Sequence, residues 1–121
     1  VTPWEKSLMQ EIEKAIPVMA AAAKKSDKGE LWTRLCNVYL DGDKFKEAVD
    51  SCENGLKKGG VKRPDTANLV LGMAHFNLKQ YKSARKAFVI AAKDKRSKKY
   101  ANQWMKFMAK ELQRQKSLEE S

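Results

Sequence analysis

The sequence predicts an all-α fold: about six helices forming an antiparallel helix-hairpin array that ends in a capping helix. Three observations predict it. Apolar residues recur at helical spacing along most of the 121-residue chain. Strand signals are nearly absent, since no alternating Val/Ile/Thr runs flank an Asn-Gly or Asp-Gly turn. Finally, one pattern of large and small residues recurs along the chain, its last two occurrences 36 positions apart.

The first helix opens at Thr2-Pro-Trp-Glu, where Thr2 can cap, Pro3 suits the first helical position and Glu5 can complete a capping box. Trp4, Leu8, Ile12, Ala15 and Met19 follow as its apolar stripe, with Pro17 as a kink and the run Ser26 to Gly29 as its break. A second helix is expected from about Glu30 to Leu40, carrying Trp32, Leu35, Cys36 and Tyr39 on one face and stopping at Asp41-Gly-Asp43. The third runs from Lys44 to about Lys58 and ends at Gly59-Gly60. Helix four is expected over about Thr66 to Leu78 and helix five over about Tyr81 to Ala92. A basic link, Asp94 to Lys99, then leads to helix six, from about Tyr100 to Arg114, with Tyr100, Trp104, Met108 and Leu112 in one stripe. The tail from Lys116 to Ser121 is expected to fray.

Three segments superpose without gaps: Glu11 to Ala23, Lys44 to Leu56 and Gln80 to Ala92. They align Ile12/Phe45/Tyr81, Ala15/Ala48/Ala84, Met19/Cys52/Phe88 and Ala22/Gly55/Ala91. The helices before the last two segments match as well, Leu35-Cys36 with Leu71-Gly72 and Tyr39 with His75. Antiparallel helices approach closely only where side chains are small, so Cys36 against Ala48 and Gly72 against Ala84 are the expected contact points.

These residues resemble the tetratricopeptide repeat, a helix-turn-helix unit of about 34 residues. Trp32, Leu35, Tyr39, Phe45 and Ala48 match its motif in one unit, and Leu71, Gly72, Tyr81, Ala84, Phe88 and Ala91 match it in the next. Cys52 and Gly55 depart from the pattern, and the closing proline comes late, at Pro64. The resemblance implies a superhelical array in a single domain over residues 1–121. Residues 1–28 would be a partial repeat, 29–64 and 65–96 full repeats, 97–116 the capping helix and 117–121 a tail. The runs Gly29 to Val49, Gly59 to Leu78 and Lys93 to Gln115 are also similar to the last repeats of bacterial periplasmic repeat proteins associated with TonB-type transport systems. That likeness implies a periplasmic adaptor in energy transduction, with the cytoplasm as the alternative location.

Composition is that of a folded globular protein, 42% hydrophobic and 33% charged. No apolar run reaches the roughly 18 residues of a spanning helix, and no secretory signal is evident. The chain begins at Val1, which suggests a processed or excised piece of a longer array, its C-terminal end. Net charge is +10, and Lys57 to Lys110 holds 15 Lys and Arg against two acids, Asp65 and Asp94. Such a field favours acidic partners, nucleic acid or an anionic membrane, or simply keeps a surface solvated, which is the preferred reading.

Catalysis finds little support. His75, the lone histidine, takes the place of a packing tyrosine, and neither a nucleophile nor a second histidine can be paired with it. His75 with Cys36 and Cys52 has no recognised metal spacing, and Gly59-Gly60 lacks the Lys-Ser/Thr of a phosphate loop. No cofactor or small-molecule substrate is therefore expected. One helical turn, about 5.4 Å, should separate Cys52 from the level of Cys36, so a bridge is feasible but strained. Two reduced, buried cysteines are preferred; a disulfide would favour an oxidising periplasm.

Function is expected in the concave surface lined by the first helix of each hairpin. Thr33 and Asn37 in one unit, and Leu69, Met73, Phe76 and Asn77 in the next, are the candidate residues for docking a peptide or partner domain. Leu69, Met73 and Phe76 would form an open apolar strip, unless helix six covers it. Lys82, Arg85, Lys86, Lys93, Lys95, Arg96, Lys98 and Lys99 form a basic patch able to meet phosphates, although the aromatics that could stack bases are committed to the core. A structural end-cap or a self-dimer is the alternative to an adaptor, and a nucleic-acid-binding module is a weaker one.

Overall fold

A computed structural model describes residues 1–120. Six α-helices make up nearly all of them: α1 (Pro3–Lys25), α2 (Glu30–Asp41), α3 (Phe45–Lys58), α4 (Pro64–Asn77), α5 (Tyr81–Ala91) and α6 (Lys95–Glu119). No strand occurs among the described residues, as the sequence predicts. The chain divides into two compact units, Val1–Arg63 and the part from Pro64 onward.

In the first unit, α1 starts with the predicted capping box. Glu5 N–H donates to Thr2 Oγ1 at 3.2 Å and Thr2 N–H donates to Glu5 Oε2 at 3.1 Å, satisfying N–H groups that a helix start leaves without partners. The helix continues through Pro17. Its expected apolar stripe is not buried as a whole, because Trp4 is 72% and Leu8 46% exposed. With only 12 residues, α2 is about half as long as the 23-residue α1 and cannot cover its first turns.

The α2–α3 hairpin closes through a short turn with Asp43 in the left-handed region, φ 58°. Lys44 N–H donates to Tyr39 O at 2.8 Å and Asp43 N–H to Leu40 O at 3.0 Å. The two helices also pack tightly at Gly55, where an added Cβ would lie 2.7 Å from Gly29 O and 2.8 Å from Thr33 Cγ2. The hydroxyl of buried Ser51 donates to Trp32 O at 2.6 Å, tying the helices by a polar contact inside an apolar interface.

Cys36 and Cys52 are bridged, with a Cα–Cα distance of 5.2 Å. The preference for two reduced cysteines is thus corrected, along with the expected register. The hairpin is symmetrical about Lys44, so Cys36 and Cys52, each eight residues from it, face one another at one level and no helical turn separates them. This Cα separation suits a disulfide.

The second unit repeats this construction. The α4–α5 turn puts Lys79 at φ 61°, Gln80 N–H donates to His75 O at 2.9 Å and Lys79 N–H to Phe76 O at 2.9 Å. Each of these features stands 36 positions after its counterpart at Asp43, Lys44 and Tyr39. The nearest atoms to a side chain at position 72 belong to Phe88, not to Ala84, again because the pairing centres on the turn.

The largest difference from expectation is at α6. Asp94 to Lys99 is no link: Asp94 Oδ1 accepts from Arg96 N–H at 2.9 Å and caps a helix that begins at Lys95 and runs to Glu119. Most of the tail expected to fray is helical, and Ser121 lies outside the described residues. Along the inward stripe of α6, Ala101 and Met108 are buried and Trp104 and Met105 half-buried, whereas Tyr100 and Leu112 are exposed.

Candidate functional site

The candidate surface lies in the second unit, where α6 packs on α4 and α5. Phe88, Ala84, Ala91, Ala101 and Met108 are its buried floor, and Leu69, Met73, Phe76, Tyr81, Trp104 and Met105 pack against that floor half-buried. Phe76 is the hub: its ring centroid is 5.8 Å from those of Tyr81 and Trp104 and 5.6 Å from that of Phe107. The 52% exposed ring of Phe107 also meets Trp104 edge-on, and Trp104 stacks on Phe88. Leu69, Met73 and Phe76 are therefore brought together as expected, but α6 covers much of the strip, and the aromatic edge that reaches solvent is Phe107.

Phe107 was not singled out by sequence. Its position, three residues after Trp104 and one before buried Met108, puts it at the rim of the buried stripe, and this spacing is the only sequence signal that could have marked it.

At the end of the strip, exposed Asn77 donates from Nδ2 to Met73 O at 2.8 Å. Asn37, in the first unit, does the same to Thr33 O at 3.3 Å. Each amide keeps a carbonyl oxygen for another group. Thr33 leaves the set of surface candidates, since it is buried against Gly55 and its hydroxyl donates to Glu30 O at 2.8 Å.

His75 is buried, and its Nδ1 is 2.7 Å from Gln80 Oε1, an oxygen that only accepts, so Nδ1–H donates. The contact pins the histidine to the turn that follows it.

The basic patch separates into parts with different roles. Arg96 is engaged in the fold: its Nε and Nη2 donate to Asp94 at 3.1 and 2.9 Å, and Nη2 is 3.8 Å from Asp65 Oδ1. Those hydrogen bonds hold the Asp94 carboxyl below the ordinary carboxylate range and raise the Arg96 guanidinium further. Ser97 Oγ donates to Asp65 Oδ2 at 2.6 Å, a buried tie between the starts of α4 and α6. Lys95, Lys98 and Lys99 are exposed on the first turns of α6, and Lys93 is exposed just before it. Lys82, Arg85 and Lys86 stand on the outer face of α5 with Val89 and Ile90, around a shallow depression of about 480 Å³.

No family model matches the chain, nor does any curated protein or solved structure compared with it. No helix among the described residues is long and apolar enough to cross a membrane.

Proposed function

We propose that this chain is a tetratricopeptide-repeat-like interaction module, an adaptor that docks a segment of a partner protein. The observation that carries this reading is the equivalence of the two hairpins. Left-handed Asp43 and Lys79, the turn bonds to Tyr39 and His75, and the facing pairs Cys36/Cys52 and Gly72/Phe88 recur at one spacing. Chains built from like hairpins present extended surfaces whose outward residues are free to specify a partner. In the second unit that surface is Met73 and Phe76 extended by Phe107, with the carbonyl of Asn77 available to a partner backbone N–H. The Cys36–Cys52 bridge supports an oxidising compartment, consistent with a periplasmic adaptor of the TonB-associated kind.

The test places a photo-crosslinking phenylalanine analogue at Phe107 and, as a control, at exposed Asn102 in cells of the native source. A polypeptide adduct is expected from position 107 alone. Adducts from neither position, or equally from both, would remove the docking surface from the reading.

A further inference from the structure

We infer that the outer face of α5 is a second docking surface, which takes an acidic amphipathic segment of a partner protein. This inference is independent of the α4–α6 surface and holds whether or not that surface binds anything.

The helix carries two faces. Tyr81, Ala84, Ala87, Phe88 and Ala91 turn inward, all buried or half-buried. Lys82, Arg85, Lys86, Val89 and Ile90 recur at the same helical spacing on the opposite side and line the depression. Val89 and Ile90 are 43% and 49% exposed, neighbouring apolar side chains at one end of a stripe whose other end is cationic. Solvated helix faces more often carry polar residues at such positions.

Charge decides what would cover the face. The arginines of other helices have carboxylates: Arg34 pairs with Glu30, Arg96 with Asp94 and Asp65, and Arg114 with Glu111. Lys82, Arg85 and Lys86 form no ion pair among the described residues. Between Lys57 and Lys110 the chain has only two acids, and both are occupied, Asp65 by Ser97 and Arg96 and Asp94 by Arg96. No carboxylate of this stretch remains for the α5 cations, so a complementary partner would supply its own. Apolar side chains of that partner would lie on Val89 and Ile90 while its acids meet the three cations, a division of labour suited to an amphipathic acidic helix. A nucleic acid is disfavoured because the face has no aromatic ring to stack a base.

The experiment is a selection of displayed short peptides on the whole protein, counter-selected on an Arg85→Glu/Ile90→Ser variant. Peptides with net negative charge and apolar residues at helical spacing are expected to be enriched. Fluorescence anisotropy of the best peptide should show binding weakened by at least about tenfold in Arg85→Glu and, separately, in Ile90→Ser. Phe107→Ser should leave it unchanged. Both α5 positions are exposed, so circular dichroism melts should match those of the parent protein, and Val89→Ser serves as the replacement should Ile90→Ser melt early. Enrichment of neutral or basic peptides, or equal binding to the parent and both variants, overturns the proposal. So does tighter binding of oligothymidylate or phosphatidylglycerol vesicles that the same substitutions abolish, which would assign the face to phosphate.

Discussion

The ring of Phe88 fills the space that a side chain at position 72 would need: a Cβ added to Gly72 would lie 2.5 Å from Phe88 Cε1. Phe88 is wholly buried, so its ring has no room to retreat. Moved back by 36 positions, the same pair is Cys36 and Cys52, joined by a disulfide. Two hairpins of one design thus fix their closest approach differently, one by a covalent bridge and the other by a ring against a bare backbone.

Gly72→Ala should therefore destabilise the second unit by about 1–3 kcal/mol, the usual cost of overpacking a core. Gly42→Ala, whose new Cβ would meet nothing nearer than 3.7 Å, should change stability by less than about 0.5 kcal/mol. Urea unfolding of both variants, and of Gly72→Ala with Phe88→Leu, supplies the check. The double variant should recover part of the loss, and strict additivity would deny the contact.

The bridge closes a loop of sequence separation 16. Chain-entropy arguments assign such a loop about 3 kcal/mol. Thiol titration in denaturant without reductant should find no free thiol, and Cys52→Ser or added reductant should lower the melting temperature of the first unit. Two titrating thiols in freshly isolated protein would contradict the assignment.

Much of this fold was legible because its signals are local. The cap at Thr2 and the stops at Gly42 and Gly59 lie within short windows of sequence, and the 36-residue echo emerges when the chain is compared with itself. Register was less legible: whether Cys36 faces Ala48 or Cys52 depends on how many residues the turn consumes, and the left-handed conformations at Asp43 and Lys79 leave no mark that a helical pattern reveals. The start of α6 was missed because Lys95 to Lys99 offers no apolar periodicity. Its helix is instead set by the Asp94 cap and by Ser97 reaching Asp65, 32 positions earlier. Such a long-range polar tie cannot be seen until the fold has brought its ends together. The candidate surface was half legible: Met73 and Phe76 could be placed on one face of a helix, but the cover from α6 and the protrusion of Phe107 depend on packing between helices.

That tie has a measurable weight. Ser97→Ala removes one donor from the buried carboxylate of Asp65 and should cost about 1–3 kcal/mol. Because both residues act through the same contact, Ser97→Ala and Asp65→Asn should be less than additive. Hydrogen exchange should quicken at the starts of α4 and α6 together in either variant. Quickening confined to α6 would mean that the contact does not couple the two helices.

Acid should weaken the start of α6 by a defined route. The Arg96 side chain and backbone hydrogen bonds hold the Asp94 carboxyl below its ordinary value of 3.8. A folded-state value below the unfolded one means that folding favours the ionised form, so the stability it lends is complete above about 3.8 and disappears as pH falls through the folded value. Glu111, lowered chiefly by its hydrogen bond from Arg114, contributes in the same sense from its ordinary value of 4.5 downward. Melting temperature measured against pH should therefore fall on the acid side of that range. Asp94→Asn, which cannot ionise, should be less stable than the parent at neutral pH and should show a shallower acid decline. An acid decline in Asp94→Asn as steep as the parent's would mean that this carboxyl does not carry the effect.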